Sequence, residues 1–181
     1  MRISDFDVLI VPRLGGAGEG DWPNRWRAKL STARLIAPAD AAVTERRAWT
    51  DAIADAVGVA ARPVLFVAHG LGAAAVASAA FALGGADVRG AFLVSPPDPA
   101  RLERMAGPGW LLPRAPLPWP TVVVASRSDA DSAYDAVATL AAGWGAVLID
   151  AGHAGGLDAE SGHGPWPEGL MRLAGFIKRL S

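Results

Sequence analysis

Val64-Leu65-Phe66-Val67-Ala68-His69-Gly70-Leu71-Gly72-Ala73-Ala74-Ala75-Val76 decides how the chain is read. Its first half is a short apolar run without polar alternation, the pattern of a strand buried on both faces. Its second half is rich in Ala, a good helix former whose small side chain lets a helix lie close on a sheet. Between them, His69-Gly70-Leu71-Gly72 leaves room only for a sharp turn. The stretch therefore predicts strand, turn and helix.

Such a turn resembles the nucleophile elbow, G-x-S-x-G or a variant with Ala first, in which a strained residue presents a side chain above a sheet. The frame Ala68-His69-x-Leu71-Gly72 is intact, but its central residue is Gly70. Glycine supplies no nucleophile, although it adopts the positive φ of an elbow without strain.

The same alternation extends outward in both directions. Strands are expected at Val8 to Pro12, Arg34 to Ile36, Pro63 to Ala68, Gly90 to Ser95, Thr121 to Ser126 and Ala146 to Asp150. Helices are expected at Trp22 to Leu30, Thr44 to Val57, Leu71 to Leu83, Ser132 to Ala142 and Trp166 to Leu180. Ala106 to Pro120, rich in Pro with two Trp, reads as irregular loop. Strands alternating with helices predict an α/β fold: one domain over residues 1–181, a three-layer sandwich around a mainly parallel sheet.

Composition narrows the function. The chain has 181 residues, 51% hydrophobic, so it can bury a sizeable core. A net charge of −1 leaves no electrostatic footprint for nucleic acid or an anionic membrane. Cysteine is absent, which excludes disulfides, thiol catalysis and thiolate metal sites. No apolar run is long enough for a membrane span, and no apolar h-region of a signal peptide follows the charged start. A cytoplasmic protein is expected. The three His show no metal-ligand spacing, so no metal is expected. Gly15-Gly16-Ala17-Gly18 lacks the Lys-Ser/Thr of a phosphate loop, so no cofactor is expected either.

Further landmarks carry a resemblance. They are Val11-Pro12 with Leu14-Gly15-Gly16, Trp22 to Trp26, the elbow, Val94-Ser95-Pro96-Pro97-Asp98, Pro116-Leu117-Pro118, Ala125-Ser126-Arg127, and Ser161-Gly162 with Gly164-Pro165-Trp166-Pro167-Glu168-Gly169. Together they resemble the small serine hydrolases of the retinoblastoma-binding-protein-nine, or YdeN-like, family, which are compact α/β-hydrolases. The resemblance implies a Ser-Asp-His triad in that chain order. Asp129 falls where the family keeps its acid. Gly70 falls at the nucleophile. The family's Gly-His-Ile-Asn, placed by Ser161-Gly162, falls on Gly155-Gly156-Leu157-Asp158, so Gly156 stands at the histidine. The family's Pro-Gly-Leu-Gly reads Pro12-Arg13-Leu14-Gly15, in a loop that helps form the oxyanion hole.

These substitutions predict a catalytically degenerate homologue, a pseudoenzyme whose pocket binds a small ligand or a protein partner. Arg13, Leu14, His69 and Leu71 are its candidate binding residues. The alternative is an enzyme acting on an acyl or carbonyl substrate, with His153 or His69 serving Asp129, oxyanion donors at Leu71 and near Arg13 or Leu14, or another nucleophile such as Ser126 or Ser128. Asp129, deprived of histidine, is expected either to pair with Arg13, directly or through water, or to be satisfied by backbone N–H groups while Arg13 reaches solvent. Trp110 and Trp119 are candidates for a binding face.

Overall fold

The computed structural model describes residues 1–180. Six parallel strands form one sheet in the order β2-β1-β3-β4-β5-β6. In chain order the elements are β1 (Asp7–Val11), α1 (Trp22–Lys29), β2 (Ala33–Leu35), α2 (Arg46–Gly58), β3 (Val64–His69), α3 (Leu71–Ala79), β4 (Val88–Val94), α4 (Pro99–Ala106), β5 (Thr121–Ala125), α5 (Tyr134–Gly143), β6 (Val147–Asp150) and α6 (Pro167–Ile177). All six expected strands are present, with shifted ends.

Side chains of a strand alternate between faces, and the core divides accordingly. Leu9, Val11, Phe66 and Ala68 face one layer, against Trp49 and Ile53 of α2, the alanines of α3, and Val137 and Ala141 of α5. Val8, Ile10, Leu65 and Val67 face the other, against Trp22 and Trp26 of α1 and Leu173, Phe176 and Ile177 of α6. β1, β3 and β5 are buried along their whole length, which is why they read as unbroken apolar runs.

Two glycines make the layers fit. A Cβ at Gly72 would lie 2.4 Å from the carbonyl oxygens of Val11 and Pro12, so only glycine lets the first turn of α3 rest on the end of β1. A Cβ at Gly90 would lie 2.9 Å from the Phe176 ring, where α6 crosses β4.

Beyond shifts of one to three residues at their ends, the helices depart from expectation in two places. α3 ends at Ala79 and tightens into a 3-10 turn, Ala80–Leu83, instead of continuing as one helix. α4 was not expected, yet its signal is in the sequence. The Asp98 carboxylate caps it by accepting the Arg101 N–H at 2.9 Å, and Pro99 occupies the first turn, where a missing N–H costs nothing. Among the described residues no helix is long and apolar enough to cross a membrane.

The chain leaves β1 toward β2 at one edge, then returns to lay β3 on the other side of β1. Connections after these two central strands therefore diverge to opposite sides. In open α/β sheets the crevice at the carboxyl ends of such a pair is the usual ligand site.

Candidate functional site

A cleft of about 540 Å³ opens at that point. Every connection leaving the carboxyl end of β1, β3, β4, β5 or β6 contributes to it: Arg13 to Gly16 and Gly18 after β1, His69 to Leu71 at the end of β3, Ser95 and Pro97 after β4, Asp129 and Asp131 after β5, and Gly156 and Asp158 after β6. Arg101 and Met105 of α4 close one side. The structure thus brings Arg13, Leu14, His69, Gly70, Leu71, Asp129 and Gly156 to one cavity.

The turn at Gly70 has φ 56° and ψ −125°, and Gly70 N–H donates to the Val94 carbonyl at 3.0 Å. That positive φ costs a residue with a side chain about 1–3 kcal/mol. A Cβ added there would also stand 3.0 Å from Arg13 Cβ, tighter than ordinary packing. Leu71 opens α3, so its N–H belongs to the first turn, which helix bonding leaves unpaired.

Arg13 does not pair with Asp129. Its Nη1 donates to Asp158 Oδ2 at 3.0 Å, and its Nη2 lies 3.5 Å from Asp21 Oδ2. Neither does it reach free into solvent, since only 35% of its side chain is exposed. The two carboxylates win because the loops that carry them are held together. Asp21 accepts N–H groups from Gly18 and Ala159, both at 2.9 Å, tying the first loop to the last. Asp158 accepts the Ser161 N–H at 2.9 Å. Burial raises the pKa of Asp158, but the Ser161 N–H and hydroxyl and the Arg13 charge outweigh it and hold the carboxyl below its ordinary value.

Gly156 has no side chain to meet Asp129. A Cβ placed on it would lie 2.9 Å from Asp158 Oδ2, the oxygen that holds Arg13. Its carbonyl accepts a hydrogen bond from His69 Nε2 at 2.9 Å. A carbonyl only accepts, so Nε2 carries the proton. His69 is buried against Trp22, with ring centroids 5.5 Å apart. Burial lowers its pKa most; the Gly156 carbonyl pulls the other way, and the Arg13 charge lowers it further. His69 is therefore a neutral strut between the elbow and the last loop.

Asp129 has no cationic partner among the described residues. Its Oδ1 accepts the Asp131 N–H at 2.9 Å, and it stands beside the buried Ser95 hydroxyl. That hydroxyl favours the ionised carboxylate yet makes no well-formed hydrogen bond. Burial raises the pKa of Asp129, and the negative charges of Asp131 and Asp158 add to the rise.

The other histidines stand apart. His153 is exposed and does not line the cleft. His163 lies in the last loop, its Nδ1 3.3 Å from Ser161 Oγ. Ser126 and Ser128 are spent on structure: their hydroxyls accept the N–H groups of Ala154 and Gly155, both at 3.0 Å, and anchor the loop that carries Gly156. Trp110 and Trp119 pack into the core and stand outside this cleft. Among the described residues no three His, Asp or Glu side chains are grouped to hold a metal ion. Reading the sequence missed Asp158, Ser95 and Arg101. Asp158 and Ser95 were visible as members of quoted motifs, but no pattern marked them as parts of a site.

Comparison with solved structures places this geometry in a family. A YdeN-like hydrolase from Pectobacterium atrosepticum is 29% identical, with a TM-score of 0.90 over 98% of this chain and 94% of that one. The ydeN gene product of B. subtilis is 18% identical, with a TM-score of 0.75 over 96% and 99%. The RedJ thioesterase of Streptomyces coelicolor, at 13% identity and a TM-score of 0.64 over 98% and 91%, shares the fold. A search of curated proteins gave no match. The profile of the serine hydrolase family matches residues 8–175, most of the sheet and its helices. This chain is a member of the serine hydrolase family, built on the α/β-hydrolase fold.

Proposed function

We propose that the chain is a catalytically degenerate serine hydrolase whose cleft binds a small ligand instead of turning one over. One observation carries this reading: the Arg13–Asp158 pair stands against both places where the family resemblance puts catalytic side chains. A Cβ at Gly70 would crowd Arg13 Cβ at 3.0 Å, and a Cβ at Gly156 would crowd Asp158 Oδ2 at 2.9 Å. Acyl transfer by this triad needs a nucleophile and a base within hydrogen-bond reach of each other. Glycine at both positions supplies neither.

The remaining chemistry supports binding. The cleft is concave, keeps the Leu71 N–H at the start of α3, and places charged groups beside Leu14, Leu71 and Met105. Apolar walls with a few convergent polar groups are what small-ligand sites have in common. His69 as acid/base finds no support, because its Nε2 is engaged by the Gly156 carbonyl.

The test is direct. The protein is incubated with a fluorophosphonate probe and with p-nitrophenyl acetate. Labelling and turnover no greater than those of heat-inactivated protein are expected. Saturable turnover by the intact chain, lost in Asp129→Asn, would overturn the reading.

A further inference from the structure

We propose that the cleft receives its ligand through an alkylammonium group, with Asp129 as the counterion. This rests on the reading that the cleft binds a ligand. Three carboxylates line the cavity. Two are already neutralised: Asp158 by Arg13 at 3.0 Å and Asp131 by Arg101 at 2.7 Å. Asp129 has no cationic partner among the described residues, and one backbone N–H serves only its Oδ1. In an intact triad a histidine N–H would face this carboxylate. Here Gly156 leaves that side without a ring.

A second observation points to the same place. Ser95 is 5% exposed, its hydroxyl makes no well-formed hydrogen bond, and it lines the cleft with Asp129, near enough to favour the ionised carboxylate. Its φ of 45° is a conformation that a residue with a side chain adopts at a cost. The backbone after β4 thus holds a buried hydroxyl near a carboxylate that has no cation among the described residues. An ammonium group carries three donors, enough for the carboxylate and the hydroxyl oxygen together.

Charge disfavours the opposite class. An anion beside Asp129 would meet its carboxylate uncompensated, and Arg13 and Arg101 are each ion-paired to a carboxylate, although the buried Nε of Arg101 has no partner of its own. The absence of any three-ligand cluster among the described residues argues for an organic cation rather than a metal ion. Leu14, Leu71, Pro97 and Met105 provide apolar wall for the body of such a molecule.

The experiment titrates the full chain at neutral pH with three similar probes, benzylammonium, benzyl alcohol and benzoate, followed by amide NMR shifts. Benzylammonium is expected to saturate with shifts at Ser95, Asp131 and Gly156. It should bind about tenfold or more tighter than benzyl alcohol, as a charge-assisted bond requires. Asp129→Asn should remove that preference while retaining the Asp131 N–H bond. Benzyl alcohol or benzoate binding the cleft as tightly as benzylammonium would overturn the ammonium assignment and leave ligand binding standing. No saturation by any probe would also overturn it. The loss of hydrolysis is judged separately, by ester turnover. Should Asp129→Asn fail to fold, the three probes on the unaltered chain decide alone.

Discussion

Arg13 and Asp158, 145 residues apart in sequence, meet at 3.0 Å, and the same Asp158 oxygen stands 2.9 Å from where a Cβ on Gly156 would lie. A side chain at 156 and the Arg13–Asp158 pair thus compete for one place. A side chain at 156 requires the Asp158 carboxylate to shift, and that shift strains its contact with Arg13.

Restoring the two missing side chains alone is therefore expected to fail. Gly70→Ser with Gly156→His should give no esterase turnover and should lower stability by about 1–3 kcal/mol, from positive φ and crowding. Adding Arg13→Gly and Asp158→Asn, the residues of the family pattern, clears both contacts. The fourfold variant should turn over p-nitrophenyl acetate above the double variant. Equal activity in the two would show that the ion pair is no obstacle.

Removing one partner of the pair tests its energetics. Arg13→Met leaves the largely buried carboxylates of Asp158 and Asp21 without their cation. Asp158→Asn instead leaves Arg13 partly exposed and still near Asp21. Arg13→Met should cost more, about 1–3 kcal/mol in urea unfolding, against about 1 kcal/mol or less for Asp158→Asn, because Arg13 keeps Asp21 as a partner and its guanidinium is partly screened by solvent.

His69 is expected to matter for stability and not for chemistry. His69→Phe removes the donor to the Gly156 carbonyl and should cost about 1–3 kcal/mol through an unpaired acceptor. His69→Gln, which keeps a donor, should recover part of the loss. Thermal melts of the three proteins read this directly.

Acid and base should act oppositely on Asp158 and Asp129. Asp158 has a lowered folded pKa, as do Asp7 and Asp98. Their contribution is present above the unfolded carboxylate value of 3.8 and is lost as pH falls through the folded values. Asp129 has a raised folded pKa, in a cleft where Asp131, Asp158, Arg13, Arg101 and neutral His69 are the other charged or titratable groups. Its contribution is present below 3.8 and is lost as pH rises through the folded value. Asp129→Asn should then be more stable than the unaltered chain at neutral pH, with the gap closing in acid. A gap independent of pH would contradict the cause assigned to the shift.

Gly72 offers a test of the fold itself. Gly72→Ala drives a methyl group into the carbonyls at the end of β1, 2.4 Å away, where backbone cannot yield as a side chain would. A loss of about 3 kcal/mol or more, or failure to fold, is expected in a thermal melt.

Much of this molecule is local in origin and legible in the chain. The apolar runs of β1, β3 and β5 and the alanines of α3 set strand and helix by burial and propensity, and their alternation sets the parallel sheet. The elbow frame around Gly70 and the motif around Gly156 name the two positions where the family resemblance expects side chains and this chain has glycine. The ends of elements were less legible, because the tightening of α3 after Ala79 depends on what the helix packs against. The partner of Arg13 lay beyond sequence altogether. Asp129, Asp158 and Asp21 are the same carboxylate to a reader of residues, and an ion pair falls off within a few ångströms. Only the folded loops, tied by Asp21, Ser126 and Ser128, determine that Asp158 comes within reach and that Asp129 lines the cleft without a cationic partner among the described residues.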